Sequence, residues 1–111
     1  MKAGMQGEQV VQADGAALQG HIQDDALVMV DFWATWCAPC RAMAPMLERL
    51  ASEFPQLRIV KVDADAHKPL LEQYGVRSLP TLQIYRGGAR VDELMGKVPY
   101  QIMRRAVEAA A

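Results

Sequence analysis

The segment Leu27-Val28-Met29-Val30-Asp31-Phe32-Trp33-Ala34 runs directly into Thr35-Trp36-Cys37-Ala38-Pro39-Cys40, which holds both cysteines of the chain. Its first part is apolar at both alternating sets of positions, the signature of a strand covered by helices on either side. Its second part is a turn leading into a helical pattern, where Met43, Met46, Leu47, Leu50 and Phe54 form one apolar stripe. Arg41, Glu48, Arg49 and Glu53 fall on the outward side, with Arg49 and Glu53 at pairing distance. Pro45 removes one helical amide, so a kink is expected there; the stripe continues beyond it, so the helix does not end. The cysteines stand three positions apart on the first helical turn, which puts both sulfurs on one side, close enough to bond if the geometry permits.

Working outward, the 111 residues suit one domain spanning 1–111, long enough to bury a core without metals or several disulfides. A hydrophobic fraction of 51% with 23% charged residues is that of an ordinary globular protein. The formal net charge of -1 argues against a nucleic-acid partner, which calls for a strongly basic surface. Met1 to Gln9 lacks the apolar run of a signal peptide, and no stretch approaches a membrane span. A cytoplasmic monomer away from membranes is therefore expected. In that compartment, two cysteines at this spacing suggest redox work more than structural bridging.

The remaining elements follow in order. Val10 and Val11 suit a short first strand, and Asp14 suits the N-cap of a helix carrying Leu18 and Ile22. Leu57 to Val62 reads as a second central strand, with Lys61 out of place in an apolar run. Pro69 to Tyr74 reads as a short helix with Gly75 at its C-cap. Leu82 and Ile84 alternate with Thr81, Gln83 and Tyr85, the pattern of a strand with one wetter face. Gly87-Gly88 turns the chain into a strand from Ala89 to Met95. A last amphipathic helix begins at about Pro99, which is preset for a first turn, and carries Ile102, Met103, Ala106 and Val107. Together these imply a mixed α/β sheet of about five strands with about four helices on both faces. Reactive groups gather at the carboxyl ends of parallel strands in such sheets, and Cys37 sits at one.

Two neighbouring thiols can exchange with a disulfide elsewhere: one attacks, a mixed disulfide forms, and the second resolves it. Attack falls to Cys37, because the unpaired amides and dipole of a helix start favour a thiolate, whereas Cys40 is one turn in and shielded. Pro39 narrows the geometry of the turn, and small Ala38 leaves room for a substrate chain. Two alternatives remain at this level: a pair of buried structural cysteines, and a metal site completed by His21 and His67. Trp36 and the turn-to-helix context argue against the first, and the wide sequence separation of the histidines argues against the second, so no metal is expected. Asp63, Asp65 and His67 read as a solvated strand end, the seven methionines as core filler, and Arg104-Arg105 as a solvated helix face.

The set Val30-Asp31-Phe32-Trp33-Ala34-Thr35-Trp36-Cys37-Ala38-Pro39-Cys40, Pro45, Val60-Lys61-Val62-Asp63, Val76-Arg77-Ser78-Leu79-Pro80-Thr81, Gly87-Gly88 and Gly96 resembles the thioredoxin family in order and spacing, over nearly the full length. That resemblance implies the thioredoxin fold. It also implies a protein-disulfide reductase and electron carrier that uses Cys37 as nucleophile and Cys40 as resolving thiol. Burial of Asp31 among apolar neighbours should raise its pKa. In the family the matching aspartate assists deprotonation of the resolving cysteine, though a carboxylate merely paired with Lys61 is the plain alternative. Lys61 would tune Asp31 by charge, or else simply lay its stem on the core with its head in solvent. A cis Leu79-Pro80 bond packed against the disulfide is implied as well, with Trp36, Ala38, Pro39, Leu79, Met95 and Gly96 forming an apolar rim that substrates touch. Trp33 is assigned to packing.

No cofactor is expected on the chain itself; NADPH and flavin would reside on a partner thioredoxin reductase, the other partners being disulfide-containing client proteins. Three residues depart from the family pattern: Ala38 in place of the usual glycine, Ser78 in place of glycine or threonine, and Lys97 where a small residue is usual. Ala38 bears on the redox poise, and Lys97 puts charge beside the groove. Two rival functions keep the same fold: a binding module whose thiols are incidental, and a disulfide oxidase or isomerase running the exchange in the other direction.

Overall fold

A computed structural model describes residues 9–111; the Met1 to Glu8 part of the leader reading lies outside them. Strands β1 (Val10–Gln12), β2 (Leu27–Trp33), β3 (Leu57–Asp63), β4 (Thr81–Arg86) and β5 (Ala89–Met95) alternate at first with helices α1 (Gly15–Asp24), α2 (Ala38–Glu53) and α3 (Lys68–Gln73). After the β4–β5 hairpin comes α4 (Tyr100–Ala110). The sheet order is β1-β3-β2-β4-β5; β1, β3 and β2 are parallel, and β4 and β5 are antiparallel to their neighbours. This is the thioredoxin fold: an open mixed sheet with helices on both faces.

The strand period of two sorts β2 onto two cores. Val28, Val30 and Phe32 join Val60, Val62, Leu18 and Ile22 of α1 and Leu70 of α3. Leu27 and Met29 join Leu57, Ile59, Leu82 and Ile84, covered by Met43, Leu47 and Leu50 of α2 and Met103 and Val107 of α4. Full burial of one such side chain stabilises the fold by about 1.5–3 kcal/mol, so the stripe read from α2 is what binds that helix to the sheet. α2 runs unbroken through exposed Pro45 and stops before Pro55. α4 starts one residue later than expected, with Pro99 as its N-cap.

The wetter face expected for β4 is absent. Thr81 and Gln83 are 1% and 0% exposed and Tyr85 is buried too. Burial of Gln83 is tolerated because its amide donates to the Tyr74 carbonyl at 2.9 Å and to Glu93 Oε2 at 2.8 Å, while the Tyr85 hydroxyl donates to its Oε1 at 2.7 Å. Polar residues in the pattern therefore mark an internal hydrogen-bonded set instead of a solvated face.

Between α3 and β4 the chain must turn sharply to return beside β2. Gly75, with φ of 72°, provides the left-handed residue. The Gly75 and Val76 amides donate to the Glu72 and Leu71 carbonyls, the paired bonds of a Schellman ending.

Candidate active site

β2 delivers the chain to the carboxyl edge of the sheet, where Cys37 becomes the N-cap of α2. Its amide donates to the Ala34 carbonyl at 3.1 Å and its carbonyl accepts from the Arg41 amide at 3.1 Å. Cys37 Sγ accepts the Cys40 amide at 3.3 Å, the contact a serine or aspartate oxygen makes at an ordinary N-cap. Pro39, in the first turn, has no amide to leave unpaired. The two cysteines, with Cα atoms 5.2 Å apart, are joined as a disulfide.

The expected contrast between an open Cys37 and a shielded Cys40 is not found: the residues are 5% and 6% exposed. Ala34, Ala64 and Leu79 from three separate loops close around both, with Trp33 and Leu71 packed alongside. What separates the two sulfurs is helix position. Cys37 caps the amide end, where unpaired N–H groups favour negative charge, and Cys40 lies inside the turn.

Asp31 and Trp33 follow Leu27 and Met29 in the two-residue period, so they share the sheet face covered by α2, the helix that carries Cys40. Asp31 is 4% exposed, and burial pushes its carboxyl up from 3.8 to about 6, with Lys61 opposing that rise by its charge. Lys61 stands directly across from Asp31 in the β2–β3 register. No ion pair within 4 Å joins the two among the described residues; the Lys61 ammonium lies over the Trp33 ring, 4.9 Å from its centroid. Trp33 therefore has a cation to hold as well as a core to pack.

Around the cystine, Trp36 is 66% exposed and Met95 64%, and Ala38 and Pro39 are exposed as well. Leu79 is half-buried against the cystine cluster, and the bond from it to buried Pro80 is cis. Thr81 Oγ1 donates to the Ser78 carbonyl at 2.7 Å, drawing in the turn around Pro80. The Gly96 amide donates to the Pro80 carbonyl at 2.9 Å, and Gly96 has a φ of 79°, which a side chain would strain. Met95 and Gly96 thus reach the site through the backbone of β4, Met95 standing opposite Thr81.

One contact escaped the sequence. Trp36 Nε1 donates to Asp65 Oδ2 at 2.9 Å, across 29 positions. Asp63 Oδ1 accepts the Asp65 and Ala66 amides at 2.9 and 3.4 Å, so the solvated strand end is also an organised turn that holds Asp65 for the indole. The signal available was weak: an Asp-x-Asp pair after β3, the strand next to β2. His21 pairs with Asp25 at 2.9 Å, and the described residues hold no group of three or more potential ligands placed for a metal ion.

A family model described as thioredoxin matches residues 9–109. Thioredoxin 1 of Nostoc sp. is 40% identical over 96 residues, covering 86% of this chain and 90% of that protein. An M-type chloroplastic thioredoxin of Chlamydomonas reinhardtii is 34% identical, covering 89% of this chain and 76% of its own length. Among solved structures, a mutant thioredoxin from Halobacterium salinarum superposes with a TM-score of 0.87 at 30% identity, over 93% of this chain and 91% of its own. A thioredoxin from Fasciola hepatica gives 0.83 at 34% identity, over 91% and 98%. The family acts through its own dithiol without a cofactor, and it implies a thioredoxin reductase and disulfide-containing substrates as the kinds of partner. No helix among the described residues is long and apolar enough to cross a membrane. With a cystine capping a helix at the carboxyl edge of this sheet and these likenesses along the same residues, the chain belongs to the thioredoxin family and is a thiol–disulfide oxidoreductase.

Proposed function

We propose that the chain, acting as one monomeric domain over 1–111, is a protein-disulfide reductase and electron carrier of a reducing compartment, in the first instance the cytosol. The observation that carries this reading is the cap: Cys37 Sγ accepts the Cys40 amide at the positive end of α2, a position that favours sulfur as thiolate.

In the reduced protein the Cys37 thiolate attacks one sulfur of a client disulfide. A mixed disulfide forms and the client's other sulfur leaves as a thiolate, which takes up a proton. Cys40, deprotonated, then attacks Cys37 Sγ; the Cys37–Cys40 bond forms and the second client thiolate departs. The client gains two electrons and two protons, and a thioredoxin reductase supplies another two of each to reopen the Cys37–Cys40 bond. Asp31 is the group that takes the proton from Cys40. Burial brings its carboxyl to about 6, nearer to a thiol than an ordinary carboxylate, and it shares the α2 face of the sheet. Lys61 moderates that rise by its charge. Trp36, Ala38, Pro39, Leu79, Pro80, Met95 and Gly96 form the rim against which an extended client segment lies.

Cys40→Ser should accumulate mixed disulfides on Cys37, read by mass spectrometry of the trapped adduct. Adducts gathering on Cys40 in Cys37→Ser would reverse the assignment. Asp31→Asn should slow the resolving step, and a rate unchanged from pH 6 to 9 would remove its role. Equilibration with glutathione measures the potential and so the direction of exchange.

A further inference from the structure

We infer that the client segment the site accepts best is acidic on one flank of its disulfide, because the cystine lies on a boundary between oppositely charged loops; this rests on the reductase reading above. Parallel β2 and β3 end at the cystine edge, antiparallel β4 begins there and β5 ends there. In sheet order the loops along that edge follow β1, follow β3, follow β2, precede β4 and follow β5. The β3 side carries the carboxylates of Asp63 and Asp65, held by turn amides and by Trp36 Nε1, with Lys68 at the start of α3. The other side differs. Residues 76–80 and 96–99 contain Arg77 and Lys97 and no carboxylate.

Arg77 and Lys97 are exposed, and neither is in an ion pair within 4 Å among the described residues. Arg77 stands three positions before Pro80, and Lys97 directly follows Gly96, whose amide is bonded to the Pro80 carbonyl. The two cations therefore flank one backbone junction. A client chain that presents its disulfide to Cys37 and crosses toward β4 and β5 meets two free positive charges beside the exposed apolar surface of Met95. Aspartate or glutamate on that part of the client complements them, and lysine or arginine is repelled. Charges at an interface rim act mainly on the encounter rate and are screened by salt.

The test uses the full chain, reduced, and three short peptides with one identical disulfide and acidic, neutral or basic residues on one flank. Reduction is followed by stopped flow at low and at high ionic strength. The acid-flanked peptide should be reduced about tenfold faster than the base-flanked one at low salt, in the range of electrostatic steering, with the gap closing as salt rises. The double variant Arg77→Glu/Lys97→Glu should invert that ratio, and Arg77→Gln/Lys97→Gln should bring it near one. Equal rates for the three peptides on the native chain, or a ratio untouched by both double variants, would overturn the inference while leaving the reductase reading intact. Failure to reduce even the neutral peptide would take both down.

Discussion

Two helices of this molecule begin with the same contact made by different atoms. At α1, Asp14 Oδ1 accepts the Ala17 amide at 3.0 Å on the open surface. At α2, Cys37 Sγ accepts the Cys40 amide at 3.3 Å with its residue buried. Both are side chains at the N-cap bonded to an amide three positions on. The aspartate oxygen is a strong acceptor, so its cap contributes directly to folding. Sulfur in a disulfide or thiol accepts weakly, and the thiolate that follows reduction accepts strongly, so the same geometry at α2 favours a reactive form of the side chain. One helix start is spent on stability and the other on chemistry.

The surroundings repeat the contrast. α1 rests on Val28, Val30 and Phe32, an apolar face, whereas α2 rests on the face that carries Asp31 beside Leu27 and Met29.

The largest way to break the comparison is Cys37→Ala, which should reduce disulfide exchange to the uncatalysed background in an insulin-reduction assay. Asp14→Ala should leave that rate where it was.

Next in size is Asp31→Asn in the oxidised protein. With its carboxyl at about 6 in the fold and 3.8 ordinarily, the folded state holds the proton more tightly than the unfolded chain. That contribution is complete below about 4 and is lost as pH rises through about 6, a swing of about 3 kcal/mol at about 1.4 kcal/mol per pKa unit. The variant has no carboxyl to ionise, so it should be more stable than the native chain at pH 7 by up to about 3 kcal/mol, with the advantage gone at pH 4. Denaturant midpoints at the two pH values decide it, and equal midpoints at pH 7 would mean that burial does not strain the carboxylate.

Smaller still, Asp14→Ala should cost about 1 kcal/mol of stability through the lost cap of α1, seen as a lowered thermal midpoint. At the bottom of the range, Glu108→Ala should change stability by less than about 0.5 kcal/mol. Its pair with Arg104, at 3.6 Å, is exposed, and its charge lies toward the unfavourable end of α4. A larger loss in denaturant melts would show that surface pairs matter more here than helix caps.

Local pattern carried most of the fold. The stripe through Met43, Leu47 and Leu50, the Asp14 cap, the Gly75 ending and the Gly87-Gly88 hairpin are all decided within a few residues, and all stand in the structure. Long-range partners were beyond such reading. Gln83 looks like a surface residue until Tyr74, Tyr85 and Glu93 are brought to it. Asp65 gains its role only when β3 is placed beside β2, and Cys37 is covered by loops that arrive from 27 and 42 positions downstream, at Ala64 and Leu79. Alternation tells which side of a strand a residue faces. It does not tell what lies on that side, so Lys61 could be seen as out of place but not as sitting over Trp33.

The order in which the chain is made gives α4 a special consequence. Met103, Ala106 and Val107 belong to the same core as Leu27, Leu57 and Leu82, which are all synthesised earlier. Until this eleven-residue helix has been made, that side of the sheet is covered by α2 alone. A chain stopped before Tyr100 would thus carry its cysteine turn above a half-covered oily surface, and a chaperone or protease would meet it before any disulfide did.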